Sequence, residues 1–328
     1  MESILSGGQD FLLPDLSYDL SGDQASYVVS RRQSQINSNV PTAGPNEGRQ
    51  VTWNIADPSG FLDLSSLCFQ WTCVNNSATK PLQMLSAVPH CCWSRMIISI
   101  SSAIAEDVQY LSRTEEMLNR FLPYEKRRAA AALGFGLASS SENGADHLAR
   151  TVAANGGEQR VVWRPLSSGI LKCGKLFPGM LLGASGLQIT LEVPAASEIA
   201  RNHANDSQTF SYKDLVCHVD SLQLEESISS QYANMLLSGR SIMIPYQTWD
   251  NTLQHLPVQT QTCNVAKNFT RLASVFASLA QEEPTVTADL AGVQGKLQNQ
   301  FYLCDQTAAN GDVESYITIN NKRMPVLT

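Results

Sequence analysis

The sequence predicts a mainly β protein in which helices interrupt a series of strands. Apolar and polar residues alternate in most of the patterned segments, which is the period of a strand with one buried face. Two stretches, near residues 110 and 230, follow the helical period instead. Charged residues make up 16% of the 328 residues, well below the roughly 25% of ordinary soluble domains. This balance favours large buried or assembled surfaces.

The first fifty residues show no apolar period, and residues 30–50 contain Pro and Gly as breakers. We therefore expect residues 1–50 to form an N-terminal arm or linker. Beyond it, the pattern predicts two strands joined by a turn at 56–60. Their alternating apolar positions are Val51, Trp53 and Ile55 in the first strand, and Leu67, Phe69, Trp71 and Cys73 in the second.

A further strand, Met96 to Ile100, leads into a charged segment with a partly helical period. Pro123 marks the expected end of that helix. Residues 134–160 are small, polar and rich in Gly, and they predict a long loop of the kind that usually has a role. The apolar positions of the helix are Val108, Leu111, Met117, Leu118 and Phe121.

Strands are predicted again at 159–165, 187–193 and 212–225, and a short helix follows that ends near Gly239. Extended structure then resumes at 241–254. A last strand meets a turn at Asn320 and Asn321. The segment 269–284 fits both periods, and periodicity alone favours a helix there.

Charge and apolar runs exclude several classes of protein. The net charge of −7 argues against a chain that mainly neutralises nucleic-acid phosphates, although basic spots occur at Arg31–Arg32 and 126–128. Apolar runs stay well below the roughly 18 residues of a membrane helix, and the N-terminus has no basic signal region. We expect a soluble protein made in the cytosol, whose eight cysteines, without a C-x-x-C spacing, are mostly reduced thiols.

Two cysteine clusters are candidates for chemistry. His90, Cys91 and Cys92 could supply metal ligands, but adjacent residues of a strand point to alternate faces, and no second ligand pair stands at a zinc-site spacing. Cys217 and His218 with Asp220 could imitate a nucleophile and base. Because neighbours in a strand face opposite ways, a core thiol beside a surface histidine is the favoured interpretation.

The remaining candidates are also better explained by structure than by chemistry. Gly134 and Gly136 form a lone G-x-G without a phosphate-binding context, and we interpret them as loop flexibility. The pairs Glu115–Glu116 and Glu282–Glu283 are predicted to be solvated faces rather than an acid and base. Three strand tryptophans, Trp53, Trp71 and Trp163, are predicted core or interface anchors. We predict no catalytic, cofactor-binding or metal-binding residue, and no cofactor.

Three stretches carry a resemblance to a known family. They are 90–122, with Glu106 to Tyr110 as a turn between strand and helix; 180–198 with 212–249; and 264–283 with 313–325. In this order of features the chain resembles the double jelly-roll major capsid proteins of icosahedral DNA viruses, particularly those of polinton-like viruses and virophages. The resemblance places His90 to Cys92 where a strand begins, and it implies a strand over 271–280.

The resemblance implies a mainly β fold of two jelly-roll β-sandwiches with short helical insertions. The expected domains are an arm at 1–50, a first jelly roll at 51–225, a linking helix at 226–240 and a second roll at 241–328. The second roll has fewer residues than eight strands need.

The function that the resemblance implies is a viral structural protein, not an enzyme. It would be a major capsid subunit whose pseudo-hexagonal homotrimers tile an icosahedral shell in the virion. Its partners would be itself, neighbouring capsomers and penton or minor capsid proteins, without specific nucleic-acid binding; synthesis would be in the host cytoplasm. The arm would tie neighbouring subunits, so that deletion of residues 1–45 should impair assembly and leave the fold.

Two other classes stay open from the sequence. A carbohydrate- or ligand-binding β-sandwich would use the strand aromatics and the long polar loop as a site. A β-barrel enzyme of the cupin sort would need a cluster of histidine and carboxylate ligands, which five scattered histidines supply poorly.

Overall fold

The computed structural model describes residues 28–57, 60–136, 149–179, 186–200, 205–239, 243–254, 264–265, 271–277, 318–319 and 322–323. Eight strands of six or more residues lie within these ranges: β1 (Val28–Asn37), β2 (Gln50–Ile55), β3 (Phe61–Asn75), β4 (Arg95–Ile100), β5 (Ala103–Gln109), β6 (Glu158–Trp163), β7 (Leu187–Glu192) and β8 (Phe210–Leu224). Four α-helices accompany them: α1 (Leu111–Arg120), α2 (Tyr124–Leu133), α3 (Ala196–Ile199) and α4 (Glu226–Leu237).

The strands form two antiparallel sheets. The order in the larger sheet is β1-β8-β3-β6, and in the smaller sheet it is β2-β7-β4-β5. Two-residue strands extend this pattern: Thr42–Ala43 pairs with β8, Leu176–Phe177 with β3, and Leu82–Gln83 with Thr151–Val152. The mainly β class is confirmed.

The strand pairs are nested. The first strand pairs with the eighth, the second with the seventh, the third with the sixth and the fourth with the fifth. This is the pairing of an antiparallel ribbon rolled into a sandwich, the eight-stranded jelly roll. Residues 28–224 are therefore one complete jelly roll.

The core between the two sheets is built on aromatic residues. Trp53 lies 4.9 Å from Phe69 and Trp71 lies 5.2 Å from Trp93, measured between ring centroids. Trp163 stacks on Phe69 at 5.7 Å. The three tryptophans predicted to be core anchors are all buried, and truncation of such a side chain typically costs about 3–5 kcal/mol.

Strand β1 lies within the predicted arm. Its residues pair with β8 from Val28 opposite Leu224 to Asn37 opposite Val216, and most of them are exposed. An edge strand that is held by backbone hydrogen bonds, with polar side chains on both faces, leaves no alternating pattern in the sequence. The roll therefore begins at Val28 rather than at residue 51, and of the predicted arm only residues 1–27 precede it.

The segment after β4, which the sequence predicts to be helical, begins as a strand. β4 and β5 form a hairpin whose turn residues, Ser101 and Ser102, have φ angles of 48° and 70°, as a type I′ turn requires. The predicted turn at 106–110 is therefore mostly strand, and α1 begins only after Tyr110, which has a φ of 49°. Pro123 ends α1 as predicted and precedes α2.

His90, Cys91 and Cys92 do not begin a strand. They belong to a 3-10 turn, Pro89–Cys92, in which all four residues are buried. The sequence prediction of alternating faces therefore fails here, because a 3-10 turn can direct several neighbouring side chains towards the core.

The short helix predicted after residue 225 is present as α4, and Gly239 follows it with a φ of +81°. Its role as a link between two rolls stays a prediction. The described residues 243–254 and 271–277 contain neither helix nor strand, so the expected strand over 271–280 is not formed in its described part. A hairpin of Thr318–Ile319 with Lys322–Arg323 flanks the predicted turn at Asn320 and Asn321. Most of the second roll, and residues 137–148 of the long loop, fall outside the described residues, so this roll stays a prediction.

Within the described part of the chain, the helices are too short or too polar to cross a membrane.

Candidate functional site

The free edge of β5 is covered by residues that follow the linking helix. β5 is the last strand of the smaller sheet and pairs only with β4 among the described strands. We call residues 243–254 the strap. We call the surface beneath it the docking face; it consists of β5, the loop 166–171 and the C-terminal end of α1.

Side chains of the strap bind backbone carbonyls of β5. The hydroxyl of Tyr246 donates to the carbonyl oxygen of Ala105 at 2.6 Å, and the amide Nδ2 of Asn251 donates to that of Gln109 at 2.6 Å. Burial raises the pKa of Tyr246, with a smaller contribution from Glu106, so this phenol stays a donor. An exposed edge strand invites pairing with other chains, and the strap occupies it without forming a strand.

The backbone of the strap lies directly on the loop 166–171. A Cβ atom at Gly169 would overlap the carbonyl oxygen of Gln247. The approach is possible because Gly169 has no side chain, and its φ is not in the left-handed region. Shape as well as hydrogen bonding therefore fits the strap to this face.

Aromatic side chains continue the contact at the end of α1. Phe276 lies 5.4 Å from Phe121, the residue that follows α1, and 5.6 Å from Trp249 of the strap, between ring centroids. Phe121 was predicted to be on the buried face of its helix, but it is 65% exposed. The side of α1 that is buried in the roll is instead mostly polar: Leu111, Ser112, Thr114, Glu115, Glu116 and Asn119.

A buried carboxylate of β5 holds the loop beneath the strap. Glu106 accepts hydrogen bonds from the backbone N–H of Gly169 at 2.9 Å and from the hydroxyl of Ser168 at 2.7 Å, one on each oxygen. Glu106 is 2% exposed. A buried charge is stable only when such donors replace water, so Glu106 is a structural anchor.

A second buried carboxylate holds the start of the same loop. Glu115 of α1 accepts the backbone N–H groups of Leu166 at 2.7 Å and Ser167 at 2.6 Å. Lys172 closes the loop by donating to the carbonyl oxygen of Leu166 at 2.7 Å. Burial lowers the pKa of Lys172, against the opposing effect of Glu115.

The third carboxylate, Glu116, pairs with His90. Its Oε2 lies 2.9 Å from Nε2 of His90, and its Oε1 lies 3.3 Å from Nε of Arg120. The prediction that Glu115 and Glu116 form a solvated face is wrong, since both are buried. All six oxygens of the three carboxylates have protein partners, so they do not have the free oxygen that a general acid or base presents to a substrate. Glu282 and Glu283 lie outside the described residues.

The sequence contains a signal for these anchors. Glu106 is two residues before the buried Val108 in a strand, and Glu115 is four residues after the buried Leu111 in a helix. Each glutamate therefore shares a face with a core residue. Their hydrogen-bond donors lie 51 or more residues away, at 166–170. Because of this separation, the pairing cannot be predicted from the pattern of neighbouring residues.

The second cysteine cluster is divided as predicted. Cys217 is buried in the core, and His218 is on the other face of β8, opposite Cys68 of β3. Burial raises the pKa values of Cys217 and Cys68, which disfavours the reactive thiolate. The six described cysteines are free thiols: Cys68, Cys73, Cys91, Cys92, Cys173 and Cys217.

The two glycines of the lone G-x-G have packing roles rather than only flexibility. A Cβ at Gly134 would overlap the carbonyl oxygen of Ala87, and Gly136 has a φ of +73°. In the described ranges, no three histidine, cysteine or carboxylate residues are grouped closely enough to hold a metal ion.

Comparisons with known proteins give a fold likeness and no close relative. No protein-family model matches the chain, and no curated protein matches it. Among solved structures, the chain is similar to the Faustovirus major capsid protein, with a TM-score of 0.45 and 10% identity, over 71% of this chain and 62% of that one. It is also similar to the mavirus major capsid protein, with a TM-score of 0.36 and 9% identity, over 67% and 52%.

A third similar structure is a chain of the Sputnik virophage, with a TM-score of 0.40 and 8% identity, over 66% of this chain and 52% of that one. The chain thus spans about half to three fifths of the length of these proteins. The jelly-roll fold of residues 28–224 is established by its own strand pairing.

Proposed function

We propose that this chain is a major capsid subunit of an icosahedral virus, a structural protein rather than an enzyme. The observation that carries the proposal is a complete jelly roll whose exposed edge is already occupied by chain that follows a linking helix. A jelly roll alone is also the fold of lectins and cupins, so the choice among these classes depends on what fills its interior and covers its edges.

The interior favours a structural role over the alternatives. A cupin-type enzyme needs a cluster of ligands inside its barrel, whereas here the space between the sheets contains packed aromatic residues such as Trp53 and Trp71. A lectin of the predicted kind would offer its strand aromatics to a sugar. Trp53, Trp71 and Trp163 are at most 3% exposed, so they are not available as a binding platform.

The docking face supports the two-roll subunit. The strap is fitted to the first roll by two hydrogen bonds to β5 and by the close approach of Gln247 to Gly169. A second roll formed by residues 241–328 would start from this contact and lie beside the first. Two rolls side by side give a subunit whose trimer is pseudo-hexagonal and closes under threefold symmetry.

The partners in this proposal are first other copies of the same chain. Homotrimers would contact neighbouring capsomers, and penton or minor capsid proteins would complete the shell of the virion, with synthesis in the host cytoplasm. Residues 1–27 would form the arm that ties subunits together, because β1 begins at Val28.

The first experiment measures the mass of the full chain in solution by light scattering, over a range of concentrations, with electron microscopy of any large species. A species of three times the chain mass, or shells, supports the proposal. A monomer at all concentrations contradicts it and directs attention to ligand screening.

The arm is tested by its deletion. Because removal of residues 1–45 would also remove β1, the informative deletion is residues 1–27, which leaves the roll intact. We expect this variant to retain its thermal unfolding transition and to assemble poorly. Unchanged assembly would contradict the role of the arm.

A further inference from the structure

Helix α2 has an unusually exposed surface. Of its ten residues only Ala131 is buried. Large apolar side chains on the helix and just before it are accessible: Phe121 is 65% exposed, Tyr124 47% and Leu133 59%. Leu133 is nine residues after Tyr124 and therefore lies on the opposite side of the helix. Exposed apolar residues thus occur on more than one side of α2, as in a segment that another chain covers.

The same helix carries three adjacent cations, Lys126, Arg127 and Arg128. Lys126 and Arg128 are exposed, and none of the three forms an ion pair within the described residues. The guanidinium carbon of Arg127 lies 5.9 Å from the ring centroid of Tyr124, and its Nε is buried without a hydrogen-bond partner among the described residues. By contrast, Arg31, Arg95 and Lys213 are each paired with described carboxylates.

A complementary segment exists in the chain itself. Residues 1–27 contain five carboxylates and no Lys or Arg, together with a run of apolar residues. The carboxylates are Glu2, Asp10, Asp15, Asp19 and Asp23, and the apolar residues of the central part are Phe11, Leu12, Leu13, Leu16, Tyr18 and Leu20. Both properties, acidic and apolar, match the basic and apolar residues that are exposed around α2.

The placement of α2 favours the arm of another copy. Val28 lies at the end of the larger sheet that contains Phe61. In β8, Leu224 is opposite Val28 and Leu222 is opposite Phe61. Gly134, just after α2, accepts a hydrogen bond from Gln159, which is opposite Cys73 at the far end of β3. From residue 61 to 73 a strand covers about 40 Å. An arm of the same subunit would use about 12 residues to cross the sheet, so Asp19 and Asp23, which lie 9 and 5 residues before Val28, could reach α2 only from another copy.

We propose that the exposed surface around α2 is the docking surface for residues 1–27 of a neighbouring copy of this chain, which passes around the helix. The carboxylates of the arm pair with Lys126, Arg127 and Arg128, which project on different sides, and its apolar residues cover Phe121 and Tyr124 on one side and Leu133 on the other. This inference rests on the proposed capsid function, for which it names the surface that receives the arm.

The test is zero-length carbodiimide coupling, which joins a lysine to a carboxylate in contact with it, on the assembled full chain. Subunits grown in ordinary and in nitrogen-15 medium are mixed before assembly, so that mass spectrometry distinguishes coupling between copies from coupling within one. We expect Lys126 to be coupled to Asp10, Asp15, Asp19 or Asp23 in peptides of mixed isotope. The double variant R127Q/R128Q keeps Lys126 and should reduce the yield about two- to tenfold, as should high salt.

The matched control is K80Q/K175Q, which removes two exposed cations elsewhere and should leave the Lys126 coupling unchanged. Coupling only within one copy, no coupling of Lys126 to the arm, or equal coupling of the arm to Lys80 in the unaltered chain would each overturn the inference. Flotation of the full chain with phosphatidylserine vesicles that depends on Arg127 and Arg128, without coupling of the arm, would overturn it in favour of a lipid surface. Trimers or shells that form without this coupling would leave the capsid function standing, whereas a monomer would contradict both.

Discussion

His90 and Glu116 form a hydrogen bond that is almost completely shielded from solvent, with Nε2 and Oε2 2.9 Å apart and side chains 1% and 5% exposed. The contact joins the 3-10 turn before β4 to helix α1. It therefore fixes the position of the helix that carries Glu115 and precedes Phe121. The sequence pattern disfavoured a metal or thiol centre at this place, and the histidine has a packing role.

Breaking this contact should be costly, whereas replacing both partners should be much less so. We expect His90→Leu or Glu116→Leu alone to lower the free energy of unfolding by about 3 kcal/mol, because each leaves a buried polar partner unsatisfied. The double variant should recover much of that loss. Urea unfolding of the four proteins measures the coupling, with Glu47→Gln at an exposed site as the control; purely additive losses would contradict the assignment.

The loop anchor at Glu106 should be sensitive to removal of its charge. Glu106→Gln keeps the size of the side chain but replaces one acceptor oxygen by a donor that faces the N–H of Gly169 or the hydroxyl of Ser168. We expect a loss of about 2–3 kcal/mol in unfolding free energy. Amide exchange at 166–171 should accelerate more than exchange in β8, and uniform acceleration would argue against a local anchor.

The fit of the strap can be tested by adding a single methyl group. Gly169→Ala introduces a Cβ atom where the carbonyl oxygen of Gln247 lies, so the strap should be displaced while the roll remains folded. Amide exchange of 243–251 is expected to rise at least about tenfold, which corresponds to 1.4 kcal/mol of opening free energy. Gly48→Ala is the control because a Cβ there meets nothing within 4 Å. A strap that stays protected would show that this contact is dispensable.

Acid should weaken the hairpin of β4 and β5. Arg95 donates to both oxygens of Asp107, at 2.8 and 2.7 Å, and these hydrogen bonds hold the pKa of Asp107 below its ordinary value, against the effect of burial. A carboxyl group whose pKa is lower in the folded state stabilises the folded protein at pH values above its unfolded pKa, which is about 3.9 for Asp. This contribution to the free energy of unfolding is lost as the pH falls through the folded pKa.

The Asp107→Asn variant tests that contribution. We expect it to be about 1 kcal/mol less stable than the unaltered chain at pH 7, and the difference should shrink as the pH falls below about 4. Urea titrations at pH 7, 4 and 2.5 measure it. A difference that is independent of pH would show that the ion pair does not contribute.

The described thiols should react at very different rates. Burial raises the pKa values of Cys73, Cys91 and Cys217, so these thiols stay protonated at pH 8 and are shielded from reagents. Cys173 is partly exposed and should be alkylated first. Peptide mapping after brief iodoacetamide treatment at pH 8 follows the order, with urea-unfolded protein as the reference. Rapid labelling of Cys73 in the folded protein would contradict the packed core.

The sequence by itself determined the strands that bury one face. In β2 and β7, apolar residues alternate with polar ones because each strand packs one face on the core. The apolar residues are Val51, Trp53 and Ile55 in β2 and Leu187, Ile189 and Leu191 in β7. Neighbouring residues alone show this alternation. The same is true of α4 and its Gly239 stop, since a helix end is a local event.

Only the tertiary structure decided which strands pair and where the buried carboxylates go. β1 has no apolar period because an edge strand is held by its backbone hydrogen bonds. Glu106 of β5 is buried because residues 168 and 169 donate hydrogen bonds to its carboxylate. The hydrogen bond of His90 depends on Glu116, which is 26 residues away. The hydrogen bond of Glu115 likewise depends on Leu166, which is 51 residues away. A local pattern of apolar and polar residues shows which side of a strand or helix is buried and which faces solvent. It does not show which distant residue a buried side chain contacts.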